Sequence, residues 1–266
     1  MIAYSPAKIN LGLAVLGKRP DGFHLIDSYL YPVPLYDIIE IAVSEKDVLI
    51  QSGMVATLNP ENNLVFKALK LLRSFYAFPP LKIHLHKQIP LEAGLGGGSG
   101  DAITLIKMLN QKFALNIKTE ALYKWAEELG SDCPFFVESK ACRVGGRGEK
   151  VELIDFSLSG FHIYLIKPPK SMNTAYAFSK MKPNKQFLPQ IEKLEQHSLQ
   201  NKLINQFEEI VASEIPEIKD IKAQLIKKGA VYSAMSGSGS CVLGLFKEPI
   251  EISFPASYFY WHGVLQ

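Results

Sequence analysis

Residues 90–102, PLEAGLGGGSGDA, place five glycines in the seven positions from Gly94 to Gly100. Such a run makes a poor core, so its backbone is there to be approached closely. The flanks say what it connects. Upstream, LKIHLHKQI (81–89) alternates Leu81, Ile83 and Leu85 with polar residues, the period of a half-buried strand. Downstream, AITLIKMLNQKF (102–113) spaces Ile103, Ile106, Leu109 and Phe113 along one helix face. A strand, a glycine turn and a helix start aim backbone N–H groups at an anion. Ser99 and Asp101 stand at that start, where a cap is useful. A dinucleotide fingerprint would follow the first strand of a βαβ unit, and a Walker loop would continue into Gly-Lys-Ser/Thr; neither occurs here.

Towards the N-terminus, AKINLGLAVLGK (7–18) alternates Ile9, Leu11, Leu13 and Val15 and predicts a half-buried strand closed by the turn RPDG (19–22). LIDSYLYPVPLYDIIEIAVSE (25–45) predicts two strands separated by prolines. NPENNLVFKALKLLRSFYAF (59–78) predicts a helix capped by Asn62 or Asn63, with Leu64, Ala68, Leu71, Leu72 and Phe75 on one face. TEALYKWAEELG (119–130) predicts another, from an N-cap at Thr119 to a C′ glycine at Gly130. ACRVGGRGEKVELI (141–154) reads as a hairpin. Beyond residue 156 follow a strand in FHIYLIKP (161–168), helices within 173–182, 189–211 and 216–228, a strand–turn–strand in AVYSAMSGSGSCVLGLF (230–246), a loop at 247–257 and a last strand in YFYWHGVLQ (258–266). Strands and helices mix without regular βαβ alternation, which indicates an α+β class. The expected domains are 1–155 and 156–266, with a soft boundary.

Of the 266 residues, 47% are hydrophobic and 21% charged, with a net charge of +3. This is a globular composition, without the dense Lys/Arg blocks of a nucleic-acid binder. Cys133, Cys142 and Cys241 are odd in number and form no C-x-x-C pair, which argues against a disulfide framework or zinc knuckle and for a reducing cytoplasm. No apolar run approaches the roughly 20 residues needed to span a bilayer, so no membrane partner is expected. Oligomeric state is not legible.

Three more stretches could carry chemistry. In SPAKINLGL (5–13), Lys8 and Asn10 share a strand face. In ELGSDCPFF (128–136), Asp132 follows a helix-ending glycine, and SAMSGSGSCV (233–242) is a Gly-Ser turn between apolar strands. Each alone is ordinary: a solvated lysine, an Asp turn, a hairpin. Together and in this order, PAKINL, PLEAGLGGGSGDA and MSGSGSCV resemble the three motifs of the small-molecule kinase superfamily of galactokinase, homoserine kinase, mevalonate kinase and phosphomevalonate kinase. With GKRPDGFHLIDS, the triple glycine and LGSDCPFF, the pattern is most similar to the 4-diphosphocytidyl-2-C-methyl-D-erythritol kinases within it.

That resemblance implies an α+β two-domain kinase fold. Its N-terminal domain would be of the ribosomal protein S5 domain 2-like type and its C-terminal domain a ferredoxin-like α/β plait. It implies transfer of the ATP γ-phosphate to the C2 hydroxyl of a cytidine diphosphate-linked methylerythritol, for isoprenoid synthesis by the methylerythritol phosphate route. Asp132 matches the catalytic aspartate and Lys8 its lysine partner, with Asn10 orienting the substrate or Asp132. Pro90, Leu91, Glu92, Ala93, Gly94, Leu95, Gly96, Gly97, Gly98, Ser99 and Gly100 match the triphosphate loop. Asn63 and Leu64 match a segment near adenine, with Lys87 in reach of the nucleotide. Phe23 and His24 match a cytosine-binding aromatic–histidine pair, and Phe178 or Tyr176 the opposite stacking ring. Gly100 stands where relatives more often show a second serine; Mg²⁺ is expected with ATP, and its protein ligands are unknown. Relatives usually place a helix where 247–257 reads as loop. The rival readings are a kinase for another small alcohol and a nucleotide-binding module without turnover.

Overall fold

The computed structural model describes residues 1–54, 60–193 and 198–266, which divide into two units. One comprises Met1–Ala7, Leu35–Leu91 and Gly96–Ser139; the other comprises Lys8–Pro34, Glu92–Leu95 and Lys140–Gln266. Two long strands, β1 (Ile2–Lys18) and β2 (His24–Val43), contribute residues to both.

In the first unit, β2 pairs antiparallel through Ile38–Val43 with β4 (Leu81–Lys87), and β4 pairs parallel with β3 (Val48–Gly53). A parallel pair needs a crossover, and α1 (Leu64–Arg73) lies between these two strands in the chain. Leu81, Ile83 and Leu85 are buried as their alternation predicts. The helix α1 is capped by Asn63, whose side chain accepts the Val65 N–H. Its buried stripe is Val65, Ala68, Leu69 and Leu72, which keeps Ala68 and Leu72 of the expected face and leaves Leu64 and Leu71 half-buried. Phe75 is exposed and stacks on Trp125 at 5.2 Å. Then follow α2 (Gly97–Lys112), α3 (Thr119–Leu129) and α4 (Phe135–Glu138). The N-cap of α3 is Lys118, so Thr119 is already helical, and Gly130 ends it in extended backbone rather than the left-handed form.

In the second unit, β2 pairs through Ser28–Leu30 with β5 (Cys142–Gly145), which forms the expected hairpin with β6 (Lys150–Leu153). The prediction of two strands across 25–45 fails, because β2 is continuous. Pro32 and Pro34 fall between its β5-paired and β4-paired stretches, where neither ladder asks them for an N–H. From Ala7 to Val15, β1 is buried on both faces rather than half-buried.

The rest of this unit begins with β7 (His162–Lys167) and α5 (Thr174–Lys180). Where helix was expected within 189–211, the described residues form a 3-10 turn at Ile191–Lys193, α6 (Leu199–Lys202) and α7 (Glu208–Glu214), the last running past that window; residues 194–197 lie outside the described set. Asn205 separates the last two, its side chain donating to the carbonyls of Met235 and Gly237. The chain ends with α8 (Glu217–Lys227), β8 (Tyr232–Met235), β9 (Val242–Phe246) and β10 (Phe259–Val264). The sheet order is β10-β7-β9-β8, antiparallel throughout. With helices after its first strand, that is the ferredoxin-like plait. Residues 247–258 form neither helix nor strand, so the second crossover helix is missing, as expected for that stretch.

Candidate active site

The glycine turn becomes helix at Gly97. Its N-cap is Gly96, left-handed at φ 70° and without a side-chain cap, so neither Ser99 nor Asp101 plays that part. The first intrahelical bond runs from Gly100 N–H to the Gly96 carbonyl at 2.9 Å. The N–H groups of Gly97, Gly98 and Ser99 precede it and have no carbonyl of the helix to bind, which leaves an anion-binding end. The glycines differ in what surrounds them. A Cβ on Gly100 would come within 2.9 Å of both the Pro6 carbonyl oxygen and the Ser5 hydroxyl, so a serine there would crowd β1. A Cβ on Gly98 would meet nothing nearer than Leu64 Cδ1 at 3.8 Å. Gly98 is therefore the open position, and Leu64, expected near the nucleotide, borders it. Asn63 is occupied at both ends of its amide, by Val65 N–H and by Gln51 Oε1 at 2.9 Å.

Lys87 does not project into solvent. It is buried, and its ammonium pairs with Asp37 and Asp101 beneath Gly97. Asp132 sits in the turn between α3 and α4. The next residue, Cys133, is fully buried with its thiol in hydrogen-bond reach of Ser99; burial pushes that thiol up to about 12, so it is inert. Phe136 packs against Gly100. The Asp132 turn is thus tied to the same helix start that offers the free N–H groups.

In the second unit the earlier half of the loop is held by backbone. Lys8 N–H donates to Leu95 O at 2.9 Å, and the N–H groups of Ser240 and Cys241 donate to the carbonyls of Glu92 and Ala93, each at 3.2 Å. Ser236 Oγ donates to Gly94 O at 2.9 Å and accepts the Asn10 N–H at 3.1 Å. Gly94 has φ 73°, and a Cβ there would fall on the Ser236 carbonyl oxygen. This glycine is required by the 236–240 turn rather than by a ligand. Ala93 and Leu95 are buried, whereas Leu91 and Glu92 are exposed and Pro90 half-buried, so the stretch would act on a ligand through its backbone.

Lys8 and Asn10 are buried, against the plain expectation of a solvated face. Lys8 Nζ donates to Asn10 Oδ1 at 2.6 Å, and Asn10 Nδ2 donates to Ser28 Oγ at 2.8 Å. Asn10 thereby fixes the ammonium. The aromatic group is arranged differently from expectation. His24 and Phe178 stack on each other, centroids 5.0 Å apart, and Phe178 meets the edge of Phe207 at 4.7 Å. Two rings that close leave no room for a base between them. Phe23 is exposed under the Arg147 guanidinium, and Tyr176 is exposed with its hydroxyl donating to Glu214. Burial, with Lys18 nearby, holds the His24 imidazole below its usual range, so it is neutral at pH 7. Sequence reasoning gave no role to Asp37, Ser28 or Ser236. The one legible signal was Asp37, a carboxylate that interrupts the otherwise apolar run LYDII. No helix among the described residues is long and apolar enough to cross a membrane.

Residues 63–140 match the GHMP kinases N terminal domain, and residues 187–253 match the GHMP kinases C terminal domain. The chain is 43% identical over 259 residues to a 4-diphosphocytidyl-2-C-methyl-D-erythritol kinase of Bacteroides fragilis, covering 95% of this chain and 94% of that one. It is 41% identical over 270 residues to the kinase of the same name from Parabacteroides distasonis, covering both chains completely. A crystal structure of 4-(cytidine 5'-diphospho)-2C-methyl-D-erythritol kinase superposes with a TM-score of 0.79 at 27% identity, covering 94% of this chain and 91% of that one. With an uncapped helix start, a buried lysine on β1 and similarity that runs end to end, the chain belongs to the 4-diphosphocytidyl-2-C-methyl-D-erythritol kinase family of the GHMP kinases.

Proposed function

We propose that the protein transfers the γ-phosphoryl group of ATP to the C2 hydroxyl of 4-diphosphocytidyl-2-C-methyl-D-erythritol, giving the 2-phosphate and ADP for isoprenoid synthesis. The observation that carries this reading is the first turn of α2: uncapped N–H groups, an open Gly98 and the Asp132 turn packed at the same helix start. Phosphoryl transfer asks for alignment and charge stabilisation more than covalent help. The N–H groups of Gly97, Gly98 and Ser99 hold the triphosphate. Asp132 accepts the hydroxyl proton, and Lys8, fixed by Asn10, stabilises charge on the transferring group. His24, neutral and backed by Phe178, reads the cytosine edge, while Phe23 offers an exposed stacking face. Residues 1–155 and 156–266 serve as the N- and C-terminal kinase domains. Three free cysteines suit a reducing cytoplasm.

No group of three His, Cys, Asp or Glu side chains suited to a metal occurs among the described residues. The residues present therefore do not form a protein cage for Mg²⁺. Such an ion would arrive on the nucleotide phosphates, as Mg²⁺ commonly does. Incubation with Mg-ATP and 4-diphosphocytidyl-2-C-methyl-D-erythritol tests the reading: ADP release and a 2-phosphate product should depend on that alcohol and not on homoserine or mevalonate. Asp132→Asn should lower kcat by about 10²–10⁴-fold with ATP still bound; undiminished turnover removes Asp132 from the mechanism.

A further inference from the structure

Beneath the first turn of α2 lies a buried charge cluster that this phosphoryl-transfer reading leaves unused. The Lys87 ammonium on β4 pairs with Asp37 on β2 and, at 2.7 Å, with Asp101 on α2; none of the three side chains is more than 4% exposed. Two carboxylates against one ammonium leave a net negative charge in the interior. The carboxylates are not equivalent. Asp37 is saturated, because its other oxygen accepts the N–H groups of Gln88 at 2.6 Å and Ile89 at 2.8 Å. Asp101 gives one oxygen to Lys87, and its Oδ1 has no hydrogen-bond partner among the described residues. The fully buried Ser5 hydroxyl, beside this carboxyl, has none of standard geometry either.

As an anion, Asp101 has beyond Lys87 only the Ser5 hydroxyl beside it to lend a donor, so its full burial is costly. As an acid, Oδ1 carries a hydrogen, and Ser5 Oγ is an acceptor next to it. Burial and the Asp37 charge push Asp101 up to about 7, against the opposing pull of Lys87 and the Ser5 hydroxyl. The other neighbours of this helix start are Leu64 of α1, Phe136 of α4 and, at Ser99, the Cys133 thiol with Asp132 beside it; burial keeps that thiol protonated.

Asp101 follows Gly97 by four residues, so it lies on the same helix face, one turn or about 5.4 Å further on. Lys87 Nζ is 3.2 Å from the point where a Gly97 Cβ would stand. A polyphosphate on the first-turn N–H groups brings negative charge within about one helical turn of this cluster. We propose that Asp101 is a positioning residue that takes a proton from solvent onto Oδ1 as a polyphosphate binds the first turn of α2, leaving Lys87 balanced by Asp37 alone. The proposal rests on the phosphate-site reading above. Because binding then favours the protonated form, affinity falls by up to tenfold per pH unit as pH rises above the midpoint of the free protein.

Calorimetric titration with Mg-ATP at pH 7.5, in two buffers of different ionisation enthalpy, counts the protons taken up. The unaltered chain should take up a fraction of a proton more than Asp101→Asn, and only its Kd should rise, up to tenfold, between pH 7.5 and 8.5. Equal uptake and equal pH slopes in the two proteins overturn the proposal. Should Asp101→Asn not fold, the unaltered chain decides alone, since a Kd constant over that interval also overturns it. Bound nucleotide without uptake defeats only this proposal; no binding of Mg-ATP at all defeats the phosphate-site reading and this proposal with it.

Discussion

At the residue scale, neighbouring glycines answer to different partners, and substitution separates them. Gly94→Ala should destabilise the fold by about 1–2 kcal/mol or more, since φ 73° is left-handed and the new methyl lands on the Ser236 carbonyl. Denaturant unfolding measures this directly. Gly98→Ala should leave stability unchanged or raise it by up to about 1 kcal/mol, because alanine favours the helix and the space is open. Its effect should appear as a raised KM for ATP. Equal KM values for Gly98→Ala and the unaltered chain would remove Gly98 from the phosphate cradle. The sequence showed that this backbone must be approached closely, and the structure divides the reasons. Gly94 admits a turn from residues about 140 positions away, a contact no local pattern can announce. The burial of Lys8 was hidden for the same reason, since a lysine alternating with apolar residues reads as surface until its asparagine partner, itself held by Ser28, is known.

At the element scale, the 236–240 turn acts as a brace. Ser236→Ala removes the bond to Gly94 O and leaves the buried Asn10 N–H without its acceptor, which should cost about 1–3 kcal/mol. Thermal unfolding would register it; an unchanged Tm would show that the turn is held by its backbone contacts alone. The short helix α5 has a different task. Phe178→Ala should raise KM for the cytidylyl substrate several-fold with ATP affinity unchanged, because it removes the ring behind His24. Equal losses for both ligands would contradict that role. Strand and helix positions were mostly readable from period and caps, as at β4, α1 and the β5–β6 hairpin. The failures have physical causes. Prolines ended nothing in β2, because they lie between its β5-paired and β4-paired stretches. A helix did not run through residue 205, because Asn205 spends its amide on the 235–237 backbone.

At the scale of the whole molecule, the family was legible because four widely spaced motifs stand in order, and the plait it implies carries the strand order β10-β7-β9-β8; the register was not legible. Stability should carry the mark of Asp101. Its carboxyl is pushed up to about 7 in the folded chain, above the unfolded value. The folded state therefore binds more protons between about pH 4 and 7, and this group's contribution declines as pH rises through that window. Denaturant unfolding of the unaltered chain and Asp101→Asn at pH 5 and pH 8 should show the variant relatively more stable at the higher pH; the opposite order refutes the sign. The missing crossover helix has a separate consequence. Residues 247–258 run as a strap, with Ile250, Ile252, Phe254 and Tyr258 packed on the core and Ile250 clasped through both its N–H and its carbonyl by the Tyr164 hydroxyl. No ladder binds the strap, yet β10 beyond it is fully paired to β7. A chain severed within the strap therefore keeps every strand pairing of its sheet, which makes this protein a natural candidate for reconstitution from two separately made fragments.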